Sequence, residues 1–240
     1  STLIGDPPNI MIGSAAGLSF NDFLTNTGPA ALVVLIITLA LLYFLYRRDL
    51  MVDDRYKEEI LALDEKKTIK DRPLLIKSLI VMALILTGFM THQSLDLESS
   101  TVALTGAAIL LLIGKQDVEE IICGIEWPTI AFFTSLFVLV GGLEEVGIIH
   151  SLAIWLIDLT SGRPIMTMIL LLWLAAIVSS FLDNIPFVAT LIPLILTMGT
   201  QGIDIRPLWW AVSLGACLGG NGTLIGASAN VVLANIGERN

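Results

Sequence analysis

Two carboxylates and a few small polar residues stand inside otherwise apolar sequence, and these are the groups whose types and spacing can do chemistry. Asp183 and Asn184 interrupt an apolar run from 164 to 198, with Pro186 two positions further on. A carboxylate among apolar residues in a bilayer is costly unless it is paired, hydrated or bound to a cation. Asp183 therefore reads either as a proton or Na⁺ site or as a hairpin cap accepting backbone N–H groups at the start of a half-helix. Asn184 and Asn221 each offer one acceptor and two donors at a lower desolvation cost than a charge. They are expected either to face each other across a central site, with Na⁺ near Asp183 and Asn221, or to cap local backbone. Gly219, Gly220 and Gly222 allow backbone carbonyl and N–H groups to approach a ligand. Thr223, Ser228 and Asn230 follow, with the hydroxyls also able to bond carbonyls one turn back.

A second copy of this chemistry opens the chain. Ser1-Thr2-Leu3-Ile4-Gly5-Asp6-Pro7-Pro8-Asn9 aligns without gaps to Gly222-Thr223-Leu224-Ile225-Gly226-Ala227-Ser228-Ala229-Asn230, at a constant offset of 221 residues. Thr, Leu, Ile, Gly and Asn recur in register. Paired apolar segments broken by Gly or Pro in corresponding halves of a chain point to a transporter binding site. Thr2, Asp6 and Asn9 are the first-copy counterparts of the second-copy site residues, and Asp6-Pro7-Pro8 places a second acid at a kink.

The elements that must hold these residues are read from the hydropathy pattern. The chain has 240 residues, 55% hydrophobic and 15% charged, whereas a soluble domain is about a quarter charged. The apolar residues come in long blocks, as they do in a bilayer-spanning chain. Residues 1–28 read as the end of a first-repeat discontinuous helix with its connector. Residues 29–72 read as a spanning helix (29–46) and a polar loop. Residues 73–240 read as a second repeat, with spans 73–91, 99–114 and 127–143, an interfacial amphipathic helix at 148–160, a re-entrant hairpin at 164–199 and a discontinuous helix at 207–236. Irregular backbone at membrane depth survives where it is buried in protein or lines a wet cavity. The loop 47–72 holds eight of the thirteen basic residues, which places it in the cytoplasm because orientation follows Lys and Arg.

Other classes fit poorly. The net charge of −9 and the lack of basic–aromatic alternation set nucleic acid aside as a partner. Cys123 and Cys217 have no CxxC spacing and read as small buried thiols. Gly220-x-Gly222-x-x-x-Gly226 is mis-spaced for a dinucleotide loop and lacks a βαβ frame. His92 and His150 read as structural residues at interfaces. No cofactor is expected beyond a coupling ion. The opening inside a motif reads as a segment of a longer protein, with a matching hairpin expected before Ser1. An intramembrane aspartyl enzyme needs two facing aspartates, and a passive channel needs a continuous pore; both stand as rivals to a carrier.

At these residues the chain resembles a known family: the ArsB/NhaD permeases and the melanosomal P protein, in the ion transporter superfamily that includes citrate and dicarboxylate/sodium carriers. The likeness lies in Ile4-Gly5-Asp6-Pro7-Pro8-Asn9, in Trp127-Pro128-Thr129 leading to Phe137-Val138-Leu139-Val140-Gly141-Gly142-Leu143, in Leu182-Asp183-Asn184-Ile185-Pro186, and in Gly219 to Asn230. It implies an all-α membrane protein with an inverted repeat, homodimeric when full length, that works by elevator-type alternating access. It implies a site between two hairpin tips and two unwound helices, a small ion or anion as substrate, Na⁺ or H⁺ as coupling ion, and a bacterial inner-membrane location. Related dicarboxylate carriers have Ser-Asn-Thr where this chain has Asp183-Asn184-Ile185, which favours cation or proton coupling over a dicarboxylate substrate. Arsenite, Na⁺/H⁺ exchange and citrate-like anions stay open.

Overall fold

The computed structural model describes residues 2–47, 71–95, 97–115, 117–227, 229–230 and 233–234. Every regular element among them is helical. The chain divides into two compact units, residues 1–28 with 126–240 and residues 29–125.

The second unit is built from long apolar helices. α3 (Gly28–Tyr46) runs 19 residues with no buried side chain. Its length of about 28 Å approaches the hydrocarbon thickness. α4 (Arg72–Thr91) starts behind an Asp71 cap that accepts from Leu74 N–H, with Pro73 in its first turn. A single 3₁₀ turn (His92–Leu95) leads towards α5 (Ser99–Gly114). α4 and α5 lie side by side because glycines admit their neighbours' side chains: a Cβ on Gly88 would lie 2.6 Å from a Val102 methyl, and Gly106 receives Ile85. Lys77 on α4 donates to the Ile113 carbonyl near the end of α5 at 2.8 Å, as a snorkelling lysine does. The expected polar connector contains α6 (Val118–Cys123), capped by Asp117. Cys123 is exposed there rather than buried, because this six-residue helix buries no side chain. Of the predicted loop at 47–72, residues 48–70 lie outside the described residues.

The first unit carries the core. α1 (Pro7–Ala16) and α2 (Phe20–Asn26) come from the N-terminal copy. A reciprocal Ser19–Asp22 capping box starts α2. The others are α7 (Trp127–Glu145), α8 (Ile148–Leu159), α9 (Pro164–Phe181), α10 (Asn184–Thr200) and α11 (Arg206–Gly219). One apolar cluster joins Ile12, Phe23, Ile149, Leu156, Leu171, Val188, Ile195, Leu208 and Val212. Phe23 and Trp210 meet edge to face at 5.1 Å. α8 buries Ile149, Ala153 and Leu156 and exposes Ile148, Leu152, Trp155 and Leu159. Leu152, expected on the same apolar stripe as the buried residues, is therefore on the outer side.

Four helices among the described residues are long and apolar enough to cross a membrane: α3, α4, α7 and α9. α5, predicted as a span, has 16 residues and is grouped with the shorter apolar helices. α9, predicted as one arm of a re-entrant hairpin, reaches full spanning length at 18 residues. The break after it falls where the sequence places it. Leu182 and Asp183 are extended, and α10 starts at Asn184. The discontinuous helix breaks at Gly220, beyond which residues 220–227 are turns and bends and residues 229–230 and 233–234 are helical.

Candidate functional site

The three broken segments of the first unit converge through buried polar side chains. The residues before α1 form a tight turn in which Gly5 N–H donates to the Thr2 carbonyl at 3.1 Å. Asp6 is the N-cap residue of α1, yet its carboxylate makes no capping bond to that helix. Oδ2 of Asp6 instead accepts from Asn184 Nδ2 at 3.1 Å, 178 residues further along the chain. Asn184 is 4% exposed and is the first residue of α10. The head of one interrupted segment thus meets the head of another. Asp6 is half-buried, and among the described residues neither it nor Asp183 has an ion-pair partner.

Asp183 does something more local. Its Oδ1 accepts from Ile185 N–H at 3.0 Å, which caps α10. Of the two roles the sequence leaves open for it, this is the one visible in the geometry. Pro186 sits in the first turn of α10, where a missing N–H costs nothing.

Asn9 is fully buried and has partners on both ends of its carboxamide. Nδ2 donates to the Thr2 carbonyl at 3.2 Å, while Oδ1 accepts from Ser213 Oγ at 2.7 Å and faces Cys217 Sγ at 3.5 Å. Ser213 and Cys217 lie one turn apart on α11, so the first-copy loop is tied to the second-copy half-helix. Sequence reading missed Ser213 and gave Cys217, which is half-buried, no role beyond a small buried thiol. The available signal was their spacing of four, which places two polar side chains on one face of an apolar half-helix.

The second copy packs against the end of α9. Ser179 Oγ donates to the Ala216 carbonyl at 2.8 Å, and Ser180 Oγ donates to the Gly219 carbonyl at 3.0 Å. Thr223 Oγ1 donates to the Ser180 carbonyl. Asn230 Nδ2 reaches the carbonyls of Gly220 at 2.7 Å and Thr223 at 3.0 Å. The glycines here serve close packing. A Cβ on Gly222 would run into Ser180, and one on Gly219 into the Ala176 backbone. None of Gly219, Gly220 and Gly222 has positive φ, so left-handed backbone is not what selects glycine in this segment.

Asn221 and Asn184 do not meet through their amides. Asn221 is exposed, and its Nδ2 donates to the Cys217 carbonyl at 3.2 Å, capping its own half-helix. Ser228, the remaining candidate from the sequence, lies outside the described residues. No cluster of three or more His, Cys, Asp or Glu side chains suited to a transition metal occurs among the described residues. What the junction does offer is a half-buried carboxylate that accepts from the Asn184 amide and, among the described residues, has no cationic side chain bonded to it.

Comparison with known proteins gives a consistent picture. A family model described as Citrate transporter (CitMHS) matches residues 1–215. The chain is similar to a 46 kDa membrane protein of Mycobacterium leprae, 42% identical over 243 residues that cover 99% of this chain and 56% of the relative. It is equally similar, at 42%, to an uncharacterized transporter of Mycobacterium tuberculosis, with 100% of this chain and 56% of that one covered. The P protein of Mus musculus is 37% identical over 211 residues, covering 82% of this chain and 25% of its own. No solved structure matches the chain. The chain spans just over half the length of these mycobacterial relatives.

Proposed function

The chain belongs to the citrate transporter family, an integral, multi-pass membrane family of transporters rather than enzymes, and from this we propose that it forms part of a secondary active carrier whose coupling cation is taken at the Asp6–Asn184 junction. One observation supports this reading above the rest. A carboxylate at the head of one broken segment turns away from its own helix to meet the amide at the head of another, 178 residues away. Both ends belong to interrupted apolar segments, where irregular backbone is tolerated when it is buried in protein or lines a wet cavity.

The cation, Na⁺ or H⁺, neutralises Asp6. The solute then sits against Asn184, the head of α10 and the second-copy loop with Gly220, Asn221, Gly222 and Thr223. Helix N-termini there favour an anionic group once the carboxylate charge is cancelled. Thr2 and Asp183 shape the same region through backbone bonds. The two copies form an inverted repeat that opens the junction to each side of the membrane in turn, within a lipid-embedded homodimer. The substrate class is a small inorganic ion or anion, with arsenite and Na⁺/H⁺ exchange as its members. A citrate-like carboxylate is the second reading, and the description of the matching family model favours it.

A flux screen on the full-length protein in proteoliposomes tests this. Arsenite, sodium, citrate and sulfate are offered with and without imposed Na⁺ and pH gradients. The proposal expects one solute to accumulate above its outside concentration only while one of those gradients is present. Uptake that equilibrates regardless of gradient would mark a passive channel and overturn it.

A further inference from the structure

The repeat is written in hydrogen bonds as well as in letters. In the first copy Asn9 Nδ2 donates to the Thr2 carbonyl at 3.2 Å, and in the second Asn230 Nδ2 donates to the Thr223 carbonyl at 3.0 Å. Gly5 N–H and Gly226 N–H reach the same two carbonyls at 3.1 and 3.3 Å. Asn9 N–H donates to the Asp6 carbonyl and Asn230 N–H to the Ala227 carbonyl, each at 3.0 Å. All three bonds superpose at the 221-residue offset. Each Thr carbonyl is held by the turn N–H three residues on and by the Asn amide seven residues on, which closes the segment into a ring.

We infer that Asn9 and Asn230 are equivalent positioning residues that fix the shape of the two broken loops, and are not themselves ligands of the transported species. Only asparagine suits the task. It needs a donor for the Thr carbonyl on a short stem. An aspartate would set a carboxylate oxygen against that carbonyl, and an alanine would leave the carbonyl without its second partner.

The two rings differ in what they hold. Position 6 is Asp and its counterpart, 227, is Ala, so only the first ring carries a charge. Of the two asparagines, Asn9 alone is bonded across the repeats among the described residues, to Ser213 and Cys217. The Asn9 ring therefore sets where the Asp6 carboxylate stands relative to Asn184, and Ser213 ties that position to α11. The Asn230 ring instead locks the second loop to its own half-helix, through the Gly220 carbonyl. The functional half of this inference rests on the carrier reading above; the structural half stands without it.

The test uses the full-length protein in lipid nanodiscs and proteoliposomes, with Asn9→Asp and Asn230→Asp, the charge-neutral Asn9→Ala and Asn230→Ala, and the milder Ser213→Ala. Hydrogen exchange is read over residues 2–9 and 223–230. Asn9→Asp is expected to speed exchange in the first segment about tenfold, the loss of one buried bond, and to leave the second unchanged. Asn230→Asp gives the reverse, and Ser213→Ala loosens the first segment only. Unchanged exchange in both segments, or equal loosening of both by each variant, would overturn the ring assignment. In gradient-driven uptake, with Na⁺ and proton concentration varied, Asn9→Ala, which removes the bond without adding a charge beside Asp6, is expected to raise the half-saturating concentration of the driving cation about tenfold, with a smaller change in maximal rate. Asn230→Ala leaves that constant unchanged, because its ring holds no carboxylate. A shift of equal size in both variants, or loss of uptake with exchange unchanged, would make the asparagines ligands and contradict the assignment. Should the unmodified protein show no gradient-driven uptake, the carrier reading fails, and the exchange measurement still decides the rings.

Discussion

Asp183 and Asp6 show how much of a residue's role lies outside its own sequence neighbourhood. An acid followed by Asn, Ile and Pro inside an apolar run marks both a charge at depth and a helix cap, and the sequence reading puts the charge first. The bond from Ile185 N–H to Asp183 makes capping its visible work. Asp183→Ala is expected to lower stability by about 1 kcal/mol, and Asp183→Asn, which keeps an acceptor, to change it by a few tenths at most. Thermal unfolding in detergent reads both. Asp6 reads in sequence as a second acid at a kink, behind Asp183. Its partner lies 178 residues away, a distance no local pattern encodes. Asn184→Ala removes the only amide donor seen on Asp6 and leaves a half-buried carboxylate without it, a cost of about 1–3 kcal/mol. A loss of stability on that scale is the expected result. A variant as stable as the parent at neutral pH would contradict it.

At the scale of the elements, the apolar blocks and their breaks were legible. Helices begin and end within a residue or two of the predicted limits for 29–46, 73–91, 99–114, 127–143 and 148–160. Proline-led starts such as Trp127-Pro128 and Arg163-Pro164 carry this legibility, because a proline is tolerated in the first turn and nowhere later without cost. The packing of α9 on α11 was not legible. It depends on Gly215 and Gly219 facing Leu172, Ala175 and Ala176, a pairing of small residues some forty positions apart with no periodic signature. A Cβ on Gly215 would lie 2.5 Å from the Leu172 carbonyl oxygen and 2.8 Å from the Ala175 methyl. Gly215→Val is therefore expected to destabilise by about 1–3 kcal/mol through overpacking. Ser179→Ala, which removes the bond to the Ala216 carbonyl, is expected to cost about 1 kcal/mol. Unfolding midpoints of the two variants check the order: the glycine change is the larger.

For the whole molecule, membrane residence follows from side chains that no protein surface covers. α3 buries none of its 19 residues, and α4, α7 and α9 present Ile, Leu and Phe outward along their lengths. Such surface is stable only in hydrocarbon, so the protein is expected to stay in the membrane pellet after alkaline carbonate washing. The repeat was legible as letters, and its shared bonds were not, because a side chain's partner depends on the backbone turn around it. The solute was not legible at all: a carboxylate and an amide at a junction define a charge balance, and many small ions satisfy it. The central claim is that Asp6, rather than Asp183, carries the coupling cation. It is tested most directly by gradient-driven uptake of the screened solute into proteoliposomes containing Asp6→Asn or Asp183→Asn full-length protein. The account predicts that Asp6→Asn abolishes accumulation against a gradient and that Asp183→Asn retains most of it. Undiminished gradient-driven accumulation by Asp6→Asn would contradict it.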